Sequence, residues 1–268
     1  MPKSKYTHIS TVMDRSGSMS GIARDMEGGL REFIDAQKAV EGEATLTLAR
    51  FDDTYEVVYD FVPLSQATSF TLDPRGSTAI LDAMGRTMES VRARIHGMTD
   101  EERPEKSIFI FVTDGGENAS REYNRQRIFD MIRDLRNSEN DVNRPDENGT
   151  VWEFVFLGAN QDAISEGGGY GIRAASSMTY DASAQGSRAM FASLTNNMTA
   201  YRSKSVDNAT LDFSQEDRDA QGVTDSATNV SKSSRSMRNM GPIPSLYGTK
   251  LCINDAGEDV TTETTETK

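Results

Sequence analysis

The stretch Asp14-Arg15-Ser16-Gly17-Ser18 follows an apolar-leaning run, Ile9 to Met13, and precedes a helical pattern of apolar residues. Its acid and two hydroxyls stand at alternate positions just past a predicted strand, so they present oxygen atoms to one crevice. Hard divalent cations such as Mg²⁺ take oxygen ligands and keep some of their waters. In an open α/β sheet, ligands bind in the crevice at the carboxyl ends of the strands. We therefore interpret this stretch first as a loop that holds a metal ion.

The chain before residue 100 predicts three strands and two helices. The strands span 6–13, 44–51 and 54–61. The third is expected to be an antiparallel edge strand, because the turn at Asp52-Asp53 is too short for a parallel crossover. Apolar periodicity predicts one helix after the metal-loop candidate and a second from Thr78, with Ser77 as its N-cap.

A central strand is predicted by the unbroken apolar run Ile108 to Val112, because a strand that is apolar on both faces belongs inside a covered sheet. It ends in Thr113-Asp114-Gly115-Gly116, which places a second acid at a strand's carboxyl end. The other predicted elements are a helix over 123–135, a strand over 151–157, a short helix over 159–166 that Gly167 to Gly169 ends, a weak strand over 174–180 and a helix over 184–201. This alternation predicts a doubly wound, mainly parallel sheet with helices on both faces.

Composition divides the chain into a domain over 1–202 and a tail over 203–268. The tail is rich in Ser, Thr, Asp and Asn and has little periodicity, which is typical of a polar, flexible segment. Its acidic residues are interpreted as solvated.

The net charge of −13 disfavours nucleic acid and anionic membranes as partners, because both repel an acidic surface. The single cysteine, Cys252, fits a reducing compartment. Without a signal-like start or a run of about 18 apolar residues, we expect a cytoplasmic protein with no membrane contact.

Three motifs in this order resemble the von Willebrand factor A (VWA) domain: Asp14-x-Ser16-x-Ser18 after an apolar strand, Gly76-Ser77-Thr78 at a helix start, and Thr113-Asp114-Gly115 after a second apolar strand. The resemblance covers roughly residues 5–202 and includes the antiparallel edge strand. It implies a Rossmann-like fold with a metal-ion-dependent adhesion site.

The resemblance also implies roles for the matched residues. Ser16 and Ser18 would ligate Mg²⁺ or Mn²⁺ directly, and Thr78 would do so directly or through a water. Asp14 and Asp114 would hold coordinated waters. A metal with few direct carboxylates stays electron-poor, so an Asp or Glu of a protein partner would complete its coordination.

The expected function is therefore metal-dependent protein binding without catalysis. Intracellular relatives by resemblance often serve as adaptors for AAA+ ATPases or within larger assemblies. A virus- or phage-encoded assembly factor fits the compact domain equally.

Several alternatives use the same residues. Asp14, Ser16 and Ser18 could form a helix-capping turn. An EF-hand loop would need Gly where Met19 stands. A haloacid-dehalogenase-type phosphotransferase would need a second acid at Ser16, with Lys106 and Asp114 in later roles. A structural subunit with a vestigial metal site is a further alternative.

The remaining polar candidates receive structural interpretations. His8 and His96 are the only histidines, so a His/Cys metal cluster is not expected. Asp52, Asp53 and Glu117 are interpreted as solvated loop acids.

Overall fold

A computed structural model describes residues 1–137, 144–206 and 210–221, and those ranges contain six strands and six α-helices. The strands are β1 (Lys3–Asp14), β2 (Glu43–Phe51), β3 (Tyr55–Pro63), β4 (Pro104–Thr113), β5 (Val151–Ala159) and β6 (Ser177–Tyr180). The helices are α1 (Ala23–Lys38), α2 (Ile80–His96), α3 (Arg125–Arg136), α4 (Ala163–Gly169), α5 (Ala184–Ser203) and α6 (Gln215–Asp219).

The strands form one sheet in the order β3-β2-β1-β4-β5-β6. Every neighbouring pair is parallel except β2 and β3, so β3 is the antiparallel edge strand that the short turn predicts. The predicted doubly wound, mainly parallel sheet is confirmed. Because β1 and β4 are neighbours in the register Met13 to Val112, their carboxyl ends lie side by side.

Two apolar layers enclose the sheet. Ile108, Ile110 and Val112 of β4 join a core with residues of α1 and α5 on one face. Phe109 and Phe111 point to the opposite face and join a core with residues of α2 and α3. This alternation follows from the period of two along a strand, and both faces of β4 are buried as its apolar run predicts.

Two predicted helix boundaries are wrong. Helix α2 begins at Ile80, two residues after Thr78, and its N-cap position is Ala79, so Ser77 is not its N-cap. Helix α4 extends through Gly169 instead of ending before the glycines. A Cβ added at Gly167 would lie 2.4 Å from Ser177 Oγ, so glycine lets this helix approach β6 closely.

Packed structure continues beyond residue 202, the predicted end of the domain. Leu211 and Phe213 are buried in the core on the α1 and α5 face. The backbone N–H of Phe213 donates to the Ala175 carbonyl at 2.8 Å, and Arg218 Nη1 donates to the Ser177 carbonyl at 2.7 Å. The part of the predicted tail from 222 to 268 lies outside the described residues. No helix in the described ranges is long and apolar enough to cross a bilayer.

Replacing Leu211 by Ala tests the packing of this segment. We expect the free energy of unfolding of the full chain to fall by about 2–5 kcal/mol, because a fully buried side chain leaves a cavity. Urea unfolding followed by tryptophan fluorescence measures it. Val57→Ala, at an exposed position of β3, serves as control and should change stability by only about 0.5 kcal/mol. Equal midpoints for Leu211→Ala and the wild type would contradict the packing.

Candidate metal centre

Asp14 is fully buried at the carboxyl end of β1. One carboxylate oxygen accepts a hydrogen bond from the Ser16 backbone N–H at 2.6 Å, and the other accepts one from the Thr113 hydroxyl, also at 2.6 Å. The first bond folds the loop back on the strand that precedes it. The second ties the loop to the end of β4, which the parallel pairing of β1 and β4 brings alongside.

A chain of hydroxyls connects this loop to the second acid. Ser16 Oγ and Ser18 Oγ lie 3.1 Å apart, and Ser18 Oγ donates to Asp114 Oδ1 at 2.6 Å. Ser18 is exposed, whereas Ser16 is buried. The crevice therefore has a buried side and a side that is open to solvent.

Thr78 reaches the same crevice from the loop before α2. Its backbone N–H donates to Asn118 Oδ1 at 2.9 Å, and its carbonyl accepts from the Asn118 N–H at 3.0 Å. A Cβ added at Gly115 would lie 3.5 Å from Thr78 Oγ1 and 3.9 Å from Ser18 Oγ, so both hydroxyls border one small space. The structure thus brings together the five predicted site residues, Asp14, Ser16, Ser18, Thr78 and Asp114; their roles as metal ligands stay a prediction.

The two carboxylates of the crevice lack a cationic partner among the ion pairs of the described residues. Burial raises the pKa of Asp14 to about 6, although hydrogen bonds from Thr113 and Ser16 oppose this, and the charge of Asp114 raises it further. Burial also raises the pKa of Asp114, which the Ser18 hydroxyl partly offsets. A bound cation would compensate both charges.

Tyr180 adds an unsatisfied group near these acids. Its hydroxyl is buried and has no hydrogen-bond partner within the described ranges. Burial raises its pKa, and the charges of Asp114 and Asp14 raise it further. Buried hydroxyls normally have a partner, so we expect a water or a ligand group beside this one.

The donor set fits a hard divalent cation. Hydroxyl and carboxylate oxygens suit Mg²⁺ and Mn²⁺, whereas thiolates and imidazoles suit softer metals. The described part of the chain has no cluster of three or more His, Cys, Asp or Glu side chains suited to a metal. The hydroxyls of Ser16, Ser18 and Thr78 are therefore essential to any metal site here.

Two of the alternatives lose their structural basis. The first is the helix-capping turn. Ser16 is the N-cap residue of the 3-10 turn over Gly17–Gly21, but its side chain makes no capping hydrogen bond. The N-cap residue of α1 is Ile22, whose side chain makes none either. Lys106, which a haloacid-dehalogenase-type site would use, pairs with Thr7 in the first half of β1, away from Asp14. Its ammonium group is buried and donates to the Tyr201 carbonyl at 3.1 Å.

Two acids that are predicted to be solvated have partners within the fold. Asp52 is fully buried, accepts hydrogen bonds from Thr54 and Arg75, and forms an ion pair with Arg15. Glu117 accepts hydrogen bonds from the backbone N–H groups of Leu81 and Ser120, at 3.1 and 2.7 Å, and so caps the first turn of α2. For Asp52, the sequence offers one indication of this role: an Asp two residues before a Thr is the pattern of an Asx-turn, in which the Asp side chain accepts a backbone hydrogen bond.

Comparisons with known proteins identify the fold. No model of a protein family matches the sequence, and no curated protein matches it either. Among solved structures, proximal thread matrix protein 1 from the mussel byssus superposes with a TM-score of 0.51 at 12% identity, over 71% of this chain and 47% of that one. A second structure of the mussel protein, with a zinc-occupied MIDAS motif, gives 0.48 at 15% identity, over 72% and 46%. A von Willebrand factor type A protein from Catenulispora acidiphila gives 0.44 at 14% identity, over 74% and 43%.

The chain therefore has the fold of the von Willebrand factor A domains. It spans about half the length of the solved chains that it matches. The likeness concerns the fold, and the function must be argued from the site itself.

Substituting Asp114 by Asn tests whether the two acids repel each other without a cation. In EDTA we expect the thermal midpoint to rise by about 2–4 °C, equivalent to about 1 kcal/mol, because Asn keeps the oxygen that accepts from Ser18 and removes a like charge. Differential scanning calorimetry measures it. Asp181→Asn, an exposed site, controls for net charge. A lower midpoint for Asp114→Asn would show that the charge stabilises the metal-free fold.

Proposed function

We propose that this protein is a metal-dependent protein-binding module. Ser16, Ser18 and Thr78 bind Mg²⁺ or Mn²⁺, and Asp14 and Asp114 hold its water ligands. An Asp or Glu of a protein partner completes the coordination. The observation that carries the proposal is the convergence of three hydroxyls on two carboxylates that no described cation neutralises.

The chemistry of the site favours binding over catalysis. Neutral hydroxyl ligands leave most of the metal's charge available for an incoming carboxylate. Asp14 is buried, and both of its oxygens accept hydrogen bonds, so it is poorly placed to act as a nucleophile. The exposed Ser18 and half-buried Asp114 mark the side from which a partner reaches the ion.

The charge of the chain supports a metal-mediated contact. At a net charge of −13, the surface repels an acidic partner at long range. A divalent cation supplies the local attraction for a carboxylate. The proposed partner is an AAA+ ATPase or a larger assembly in the cytoplasm. The single cysteine, Cys252, is compatible with such a reducing compartment.

The glycines after Asp114 provide a matched pair of variants for cation binding. A Cβ at Gly115 would lie in ordinary contact with two of the site's hydroxyls, whereas a Cβ at Gly116 would meet nothing within 4 Å. We expect Gly115→Ala to weaken Mg²⁺ and Mn²⁺ binding by at least about tenfold, about 1.4 kcal/mol, and Gly116→Ala to leave it unchanged. Calorimetric titration of the full chain measures both. Equal affinities for the two variants would place the cation elsewhere.

The partner contact is tested by dependence on the cation. In pull-downs with Mg²⁺, we expect the protein to capture partner proteins. Neither EDTA-treated protein nor the Asp14→Ala variant should capture them, because both lack the bound cation. Mass spectrometry identifies them, and changing an acid of the purified partner to its amide should abolish binding. Partners that stay bound in EDTA and to Asp14→Ala would instead indicate a structural subunit with a vestigial site.

A further inference from the structure

We infer that Asp52 is a positioning residue for the cation site: it holds the loop that carries Thr78 against the loop that carries Ser16 and Ser18. The inference rests on the proposed cation binding for its effect on affinity. Its geometric part concerns two loops of the protein and can be tested without a metal.

Asp52 lies between the two loops and is fully buried. One carboxylate oxygen accepts hydrogen bonds from the Thr54 N–H and hydroxyl, each at 2.6 Å. The other lies 2.8 Å from Arg75 Nε and 3.1 Å from Arg15 Nε. One carboxylate thus joins the end of β2, the loop before α2 and the predicted metal loop.

Arg15 explains why this carboxylate is needed. It stands between Asp14 and Ser16, and its side chain is almost fully buried. A buried guanidinium without partners is costly, so an unpaired Arg15 would disturb the loop to which it belongs. Asp52 supplies the counter-charge together with Glu56, which lies 2.9 Å from Arg15 Nη1.

Backbone hydrogen bonds follow the same path toward Thr78. The Arg75 N–H donates to the Arg15 carbonyl at 2.7 Å, and the Ala79 N–H donates to the Asp52 carbonyl at 2.9 Å. Between them, Gly76 has a φ of +66°, and a Cβ there would lie 2.6 Å from Asp53 Oδ1 and 3.2 Å from the Asp52 Cβ. Thr78 therefore sits on a segment that is fixed at both ends by the residues that Asp52 organises.

The test is a double-mutant cycle on cation affinity in the full chain, with Mn²⁺ titrated by calorimetry. We expect Asp52→Asn to weaken binding by about 10–100-fold, as loss of an outer partner of a metal ligand typically does. Asp53→Asn, the same change at the exposed neighbour, should leave affinity unaltered. In a Thr78→Ala background, Asp52→Asn should cost no more than about twofold further, because Asp52 acts through the position of Thr78.

Equal losses for Asp52→Asn and Asp53→Asn, or a full additional loss in the Thr78→Ala background, would overturn the inference. If Asp52→Asn fails to fold, Arg75→Gln replaces it in the cycle. The Arg75 side chain is 62% exposed, so its loss leaves the Arg15 pair and the core intact. Wild-type affinity in Arg75→Gln would then overturn the inference.

Hydrogen exchange in EDTA separates this inference from the proposed function. Amides of Arg75 and Ala79 should exchange faster in Asp52→Asn than in the wild type or Asp53→Asn, while amides of the central strand β4 keep their rates. If the wild type binds no cation but Asp52→Asn shows this exchange pattern, the proposed function is wrong and the positioning role of Asp52 still holds. Unchanged exchange in the loop would overturn the positioning role.

Discussion

Two carboxylates at the ends of neighbouring strands impose the main constraint on this molecule. Asp14 and Asp114 lie side by side at the carboxyl ends of β1 and β4. Neither carboxylate has a basic partner among the described residues. Like charges in a partly buried site destabilise each other. Hydroxyls of Thr113 and Ser18 relieve this only in part, and the proposed cation would offset the remaining charge.

The sheet produces this juxtaposition through its register. β1 and β4 are parallel neighbours at the centre, and helices on both faces keep their buried residues in place. The third segment, with Thr78, has no strand to hold it. Loop contacts hold it instead: Asn118 on one side and the backbone of Asp52 on the other. The sheet therefore fixes the residues at the strand ends, whereas loop hydrogen bonds alone fix the position of Thr78.

The sequence predicts the features that local pattern encodes. Apolar runs predict the central strands, and the short turn at Asp52-Asp53 predicts the antiparallel edge. The motifs around Asp14, Thr78 and Asp114 predict the five residues that the structure brings together. Contacts distant in sequence were not predicted. The sequence around Asp52 predicts a solvated loop acid, because its partner Arg15 is 37 residues away and nothing local indicates that ion pair. Leu211 and Phe213 were assigned to the tail because two apolar residues in a polar segment have no periodicity.

The segment around Phe213 and Arg218 has a consequence for the behaviour of the protein in concentrated solution. β6 is a short strand at the sheet's edge, and open edges invite pairing with strands of other molecules. Here the Phe213 backbone and the Arg218 guanidinium occupy carbonyls of Ala175 and Ser177. The chain thereby occupies the first carbonyl of β6, at Ser177, which leaves that end of the strand less open to intermolecular β-association and the aggregation that would follow.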